Sequence, residues 1–275
     1  MNSRPKHPLR VAGRLLWLAG ELFLSALNYA IRCAFLWRES LPPARAVWLH
    51  RTAQRLLKVF HIETKFSGKI PARGLLACNH LSYLDILVLA AIAPCVFVAK
   101  REVKHWPVFG WFVTLAGTVF VHRERRTQAA QTVDEIQAAL ASGGLVVLFP
   151  EGTSSGGETV LPFKSSLLEP GVQTNHTLTA GFLRYELADG DVSEEVCYWK
   201  DMTFVPHLIN LCNKNGVQAS VSFSQLRGGE TDRKRLAQQL HAEILRMKLA
   251  ASCSGDKNFT PTRQGRHPEN IQDQI

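Results

Sequence analysis

The sequence of 275 residues has no C-x-x-C pair, no H-E-x-x-H motif and no internal repeat. Zinc ribbons, thioredoxin-like redox sites and metalloprotease helices are therefore not written in it. Its six cysteines (Cys33, Cys78, Cys95, Cys197, Cys212 and Cys253) are scattered, and Cys78 and Cys95 sit in apolar runs. That pattern predicts reduced, buried thiols rather than a disulfide framework. Glycine (19) and proline (13) are too sparse for a collagen-like or low-complexity chain. A confident membrane span needs about 18–20 apolar residues. The run 15–31 has 17, with Glu21 inside it. No small-x-small cleavage site follows that run, so no removable signal is expected. Acidic residues are nearly missing from positions 1–60, which hold ten Lys/Arg against Glu21 and Glu39, whereas 61–275 hold 22 bases and 21 acids. The formal charge of +9 is thus a basic head on a near-neutral body. That argues against a nucleic-acid groove through the fold, and no nucleic-acid partner is expected.

What is there begins with the head. Residues 9–37 read as one helix in which Arg10, Arg14, Glu21, Ser25, Asn28 and Arg32 recur at helical spacing. At 100° per residue they fall in a stripe roughly 60° wide, and the remainder is apolar. Pro42-Pro43 interrupts the chain. A second helix, about 44–60, then carries Arg51, Arg55 and Lys58 on one side, with Trp48, Leu49, Leu56, Val59 and Phe60 among its apolar residues. The expectation is an amphipathic helical hairpin over 1–60, sunk into one leaflet of a phospholipid membrane with its bases among the headgroups. Two other readings stay open: a true span, and two ordinary helices packed on the body. Both flanks of the first helix are basic, so the positive-inside rule does not orient it, which suits a monotopic helix.

With 46% apolar residues the chain has material for a real core. From about residue 62, short apolar runs at 75–78, 95–99, 118–121, 145–149, 178–185 and 217–223 read as strands. Helical patterns at 82–92, 106–116, 125–142 and 230–249 lie between or after them. This alternation predicts an α/β domain over 61–250, a sheet with flanking helices. Segment 186–201 is acidic and reads as a loop, and the polar tail 251–275 is expected to lack ordered structure.

Three boxes carry chemistry. Asn79-His80-Leu81-Ser82-Tyr83-Leu84-Asp85 follows an apolar strand and opens an apolar helix. Histidine is the natural base near neutral pH, and a carboxylate can fix its tautomer. On one helix the two would point about 140° apart. They can pair only with His80 in the turn before the helix and Asp85 in its first turns, Ser82 serving as N-cap. Gly117-Thr118-Val119-Phe120-Val121-His122-Arg123 ends a strand on an arginine suited to bidentate phosphate recognition, and Lys100 likewise follows a strand. Phe149-Pro150-Glu151-Gly152-Thr153 places a tight turn at a strand end, where N–H groups and a hydroxyl can meet an anion or oxyanion. Alone, each box also has a plain structural reading: a satisfied histidine, a solvated strand-end charge, a surface turn.

In this order and at these spacings the boxes resemble the lysophospholipid acyltransferases, similar to the bacterial 1-acylglycerol-3-phosphate acyltransferases, over about 62–225. The resemblance implies a membrane-associated enzyme on the cytoplasmic face. It would move a fatty acyl group from acyl-CoA or acyl-carrier protein to the hydroxyl of a lysophospholipid. It makes His80 the general base and Asp85 its orienting partner. Arg123 and Lys100 would bind the acceptor phosphate, and Glu151, Gly152 and Thr153 would shape its site. It implies no cofactor and no metal.

The chain departs from the family pattern where Ser154 replaces a frequent Arg, and where Phe163-Lys164-Ser165-Ser166 replaces a Phe-Lys-x-Gly stretch. Lysophosphatidic acid is the default acceptor, and a lyso-ornithine lipid is the alternative. A lipid hydrolase using water, and a non-catalytic membrane-binding protein, are the competing readings.

Overall fold

The fold is described by a computed structural model covering residues 6–33, 41–106, 109–121, 126–172, 176–226, 230–253 and 260–261. In chain order the elements are α1 (Pro8–Cys33), α2 (Leu41–Val59), β1 (Ile62–Ser67), β2 (Gly74–Cys78), α3 (Leu84–Ile92), β3 (Val96–Lys100), α4 (Phe109–Leu115), β4 (Val119–Val121), α5 (Arg126–Ala141), β5 (Leu145–Leu148), α6 (Glu169–Val172), β6 (Leu178–Glu186), α7 (Val192–Glu195), α8 (Phe204–Asn213), β7 (Val217–Leu226), α9 (Arg233–Cys253) and β8 (Thr260–Pro261). Among the described residues the strands form one sheet in the order β4-β3-β5-β2-β6-β7-β1-β8. The first five run parallel, β7 is antiparallel to β6 and parallel to β1, and β8 is antiparallel to β1. The expected α/β alternation is what forms.

Central strands covered on both faces read as continuous apolar runs. β2 and β5 are buried at every position. Leu76, Cys78, Leu145 and Val147 face a core shared with α2 and α3, and Leu75, Ala77, Val146 and Leu148 face one shared with α5 and α9. β1, α6, α7, α8 and β8 escaped the sequence reading, α7 lying inside the segment 186–201 expected to be a loop. β1 has mixed polar side chains because only part of each face is covered. α8 begins Phe204-Val205-Pro206, and a proline reads as a breaker although the first turn tolerates it. The same rule places Pro42-Pro43 inside the first turn of α2 instead of before it. α9 runs to Cys253 and Thr260–Pro261 pairs with β1, while the rest of the tail lies outside the described residues.

The head is built inside out. On α1, Arg14 is buried and donates from Nη1 to the carbonyls of Cys212 (3.1 Å) and Lys214 (2.6 Å). Arg10 donates to Asn213 O (3.2 Å) and Asn215 Oδ1 (2.6 Å). The carbonyls of Cys212, Asn213 and Lys214 lie at the C-terminal end of α8, where cations are favoured. Further along, Arg55 of α2 donates to Glu21 (2.9 Å) and to Ser25 Oγ (2.8 Å). Trp48 Nε1 donates to Ser25 O (2.8 Å), and Arg45 donates to Tyr29 OH (3.1 Å). The partners 21–55, 25–48 and 29–45 run in opposite directions, so α1 and α2 form a helical hairpin. From Arg10 to Ser25 the polar stripe is therefore a seam against protein, which corrects the expectation that Arg10, Arg14 and Arg55 face lipid headgroups, while Asn28 and Arg32 are exposed. Turned outward instead are Leu16, Phe23, Leu24, Leu27 and Ile31. Trp48, Leu49, Leu56 and Leu57 of α2 sit in the same core as Leu84 and Val88, so the hydrophobic core does not divide at residue 60. Among the described residues no helix is long and apolar enough to cross a membrane.

Candidate active site

The catalytic box lies just beyond the end of β2, at the carboxyl edge of the parallel strands where open α/β sheets bind ligands. Asn79 extends the ladder by side chain after the strand stops. Its Nδ2 donates to Leu183 O (2.9 Å), and Leu183 N–H donates to its Oδ1 (2.7 Å). The next turn is held from other segments: His80 N–H donates to Glu151 Oε1 (2.8 Å), Ser155 N–H to His80 O (3.0 Å), and Tyr198 N–H to Leu81 O (2.9 Å). His80 thus stands before the helix and Asp85 in its first turn, the arrangement the spacing required. His80 Nδ1–H donates to Asp85 Oδ2 (2.8 Å). The same oxygen accepts the N–H groups of Leu81 (2.6 Å) and Ser82 (3.0 Å), and Asp85 Oδ1 accepts the Tyr185 hydroxyl (2.7 Å). Tyr83, not Ser82, is the N-cap of α3, and its side chain makes no cap bond. Asp85 reaching back to two N–H groups does the work expected of Ser82.

With Nδ1 engaged by Asp85, Nε2 is the ring nitrogen left to accept a proton. The imidazole stacks on Phe149 at 4.1 Å and 16°. It lines a cavity of about 350 Å³ together with Lys100, Gly152, Thr153, Ser154 and Lys200. Val121, two positions before Arg123, lines it too, while Arg123 itself lies outside the described residues. Asp85 and Glu151 are buried behind the wall and do not line it. Gly152 closes the turn after Glu151 at φ +69°, with its N–H donating to Phe149 O (3.0 Å). Ser154 donates to Tyr198 O (2.5 Å). A second cavity of about 510 Å³ adjoins the first, sharing Tyr83, Ile86, Phe97, Ala99 and Phe109. It is lined by apolar side chains apart from Tyr83 and three threonines, and lies between α1, α2, α4 and α8. Tyr198, Trp199, Lys200 and His207 carried no role in the sequence. The first three line the 350 Å³ cavity, and His207 is buried, bridging Tyr83 OH (3.1 Å) and Cys197 O (3.1 Å). No local pattern announces them, because each reaches its place through long-range packing.

Glu151 is 2% exposed, with Oε1 taking the His80 N–H and Oε2 the Leu161 N–H (2.9 Å). Burial pushes its carboxyl up to about 7 from an ordinary 4.5, against the pull of those two bonds. The folded state therefore holds this proton more tightly than the unfolded chain. The stability that results is complete below about 4.5 and is lost as pH rises through about 7, on the order of 3 kcal/mol. The melting temperature should fall between about pH 4.5 and 7, with a shallower slope in Glu151→Gln. That substitution also sets an amide NH2 against an N–H, at about 1–3 kcal/mol. An unchanged slope in the variant would sink the assignment.

A family model described as Acyltransferase matches residues 59–179. The lyso-ornithine lipid O-acyltransferase of Brucella abortus is 35% identical, over 76% of this chain and 81% of that protein. The 1-acyl-sn-glycerol-3-phosphate acyltransferase of Neisseria gonorrhoeae is 36% identical over 47% of this chain and 54% of its own length. The crystal structure of the 1-acyl-sn-glycerophosphate acyltransferase of Thermotoga maritima superposes with a TM-score of 0.64 at 17% identity, over 88% of this chain and 96% of the other, and so shares the fold.

Proposed function

Because the chain belongs to the acyltransferase family, we propose that it moves a fatty acyl group from a thioester donor to the free hydroxyl of a lysolipid at a membrane surface. The observation that carries this reading is the His80–Asp85 pair opening onto a polar cavity that runs into an apolar one. His80 Nε2 takes the proton of the acceptor hydroxyl as its oxygen attacks the thioester carbonyl. The tetrahedral intermediate collapses, the carbon–sulfur bond breaks, and the imidazolium returns the proton to the departing thiolate. Asp85 fixes the tautomer and faces the imidazolium charge. Lys100 and Arg123 would hold the acceptor's anionic group, and Gly152 and Thr153 would shape the floor beneath it. Glu151 would brace the His80 turn from behind. The apolar cavity has the lining and size to receive an acyl chain. This chemistry needs neither metal nor cofactor, only acyl-CoA or acyl-carrier protein as donor.

Leu18 and Leu22 of α1 and the exposed Val205 of α8 line that cavity, α1 turns Leu16, Phe23 and Leu24 outward, and Trp111 on α4 is exposed. This supports a chain lying on the cytoplasmic leaflet, where thioester carriers are found, without crossing it.

For the acceptor, a lyso-ornithine lipid fits better than lysophosphatidic acid. The relatives that align over most of the chain act on it by name, and the Neisseria match covers only half. The Ser154 hydroxyl is spent on a backbone carbonyl where a phosphate-binding Arg often stands in the family. An ornithine headgroup, with one carboxylate and one ammonium, asks for fewer cations than a phosphate monoester. The test is a lysolipid panel with both donors, read by mass spectrometry. The expected result is faster acylation of the lyso-ornithine lipid. Exclusive use of lysophosphatidic acid would select that acceptor, and free fatty acid released without lysolipid would select a hydrolase.

A further inference from the structure

We propose that Tyr185 on β6 is a positioning residue for acyl transfer, acting on His80 through the second oxygen of Asp85; the proposal rests on the acyl-transfer reading above. Tyr185 belongs to none of the boxes and stands a hundred positions from Asp85 in sequence. Its hydroxyl donates to Asp85 Oδ1 at 2.7 Å, and the carboxylate is wholly buried. Oδ2 is already occupied by three donors, from His80, Leu81 and Ser82. Four donors thus converge on this carboxylate, which serves as the acceptor that His80 requires.

The geometry of the two oxygens gives the second one its purpose. The three donors on Oδ2 all come from the turn that carries His80, so by themselves they tie the carboxylate to that turn and to nothing in the sheet. Tyr185 fastens the other oxygen to the sheet. With one oxygen tied to the turn and the other to the sheet, the carboxylate is held relative to both, and with it the line along which Nδ1–H meets Oδ2 and the direction in which Nε2 points. The anchor is rigid. Tyr185 is buried in the core beside Cys78 and Leu84 and pairs in register with Ala219. Burial, followed by the Asp85 charge, holds the phenol protonated well above the usual tyrosine range, so it remains a donor. The neighbouring thiols Cys78 and Cys197 are also pushed up by burial and stay neutral, and the side chains facing the turn besides them are Glu151 and the His80 imidazole itself. Partners that orient a functional side chain from behind commonly change activity by about 10- to 100-fold.

The experiment is a double-mutant cycle in the full chain on vesicles, with kcat and KM measured for lysolipid and thioester donor. In Tyr185→Phe, kcat should fall about 10- to 100-fold, with both KM values within about twofold of wild type. In an Asp85→Asn background the same substitution should change kcat by less than about twofold, because the carboxylate it acts through is gone. A wild-type kcat in Tyr185→Phe, or effects that simply multiply across the cycle, would overturn the proposal and leave the hydroxyl a structural prop. Should Tyr185→Phe fail to fold, 3-fluorotyrosine at 185 keeps the ring and strengthens the donor. A change in kcat then supports the proposal and an unchanged kcat overturns it. A wild-type chain that turns over no lysolipid defeats the acyl-transfer reading itself. An active wild type with an indifferent Tyr185→Phe defeats only this inference.

Discussion

In a chain carrying His80→Ala, acyl transfer should fall about 10²- to 10⁴-fold while the protein stays folded. Both halves follow from the same contacts. The imidazole is one of four donors to Asp85, and its removal leaves Leu81 N–H, Ser82 N–H and the Tyr185 hydroxyl on the buried carboxylate. No charge is stranded without partners. The main-chain bonds of residue 80 to Glu151 and Ser155 do not depend on its side chain. What disappears is the group that accepts the acceptor's proton, so the loss should appear in kcat, with KM close to wild type. Holding the two substrates side by side supplies whatever rate remains. Initial-rate measurement on vesicles, with circular dichroism to confirm folding, checks both parts. A folded variant that keeps its rate within about tenfold would falsify the assignment of His80 as base.

The His80–Asp85 pair was legible because the steric argument left one solution. Five positions apart, the two can meet only across the start of a helix, and the structure puts the boundary at Leu84. The strands of the parallel half were legible for a related reason: burial on both faces writes unbroken apolar runs such as Leu145 to Leu148. Tyr185 was not legible. It sits in a run read correctly as a strand, and nothing local marks its hydroxyl as the one that reaches Asp85 across two neighbouring strands. Glu151 was visible as part of a box but not in its orientation, since its two backbone partners, at His80 and Leu161, lie far apart along the chain. The α1 stripe was read in the right place, but its part from Arg10 to Ser25 faces protein instead of headgroups. Periodicity shows that polar residues share a face, but not whether that face meets lipid headgroups or the carbonyls of α8.

That reversal sets the second large effect. With Arg10, Arg14 and Arg55 facing protein, attachment to a bilayer should come chiefly from the apolar side chains turned outward. Replacing Leu16, Phe23 and Leu27 together by glutamate should then release the chain from anionic vesicles. These side chains are 76%, 69% and 47% exposed, so the fold loses little by their replacement. The seam of Arg10, Arg14, Glu21–Arg55 and Trp48–Ser25 is untouched. Burying a leucine or phenylalanine side chain is favourable by about 1.5–3 kcal/mol. Losing three such insertions amounts to roughly 5 kcal/mol or more, at least several thousandfold in partitioning. Vesicle sedimentation reads this directly. The wild-type chain should remain bound at high salt, because screening weakens charge pairing but not apolar insertion. The triple variant should stay in the supernatant even at low salt. Its activity on bilayer-embedded lysolipid should fall with binding, while activity on detergent-dispersed lysolipid is retained, because the His80 site is intact. A triple variant that sediments like wild type would mean that the outward face of α1 is not the anchor. The exposed bases Arg32, Arg51 and Lys58 would then be the groups left to account for attachment.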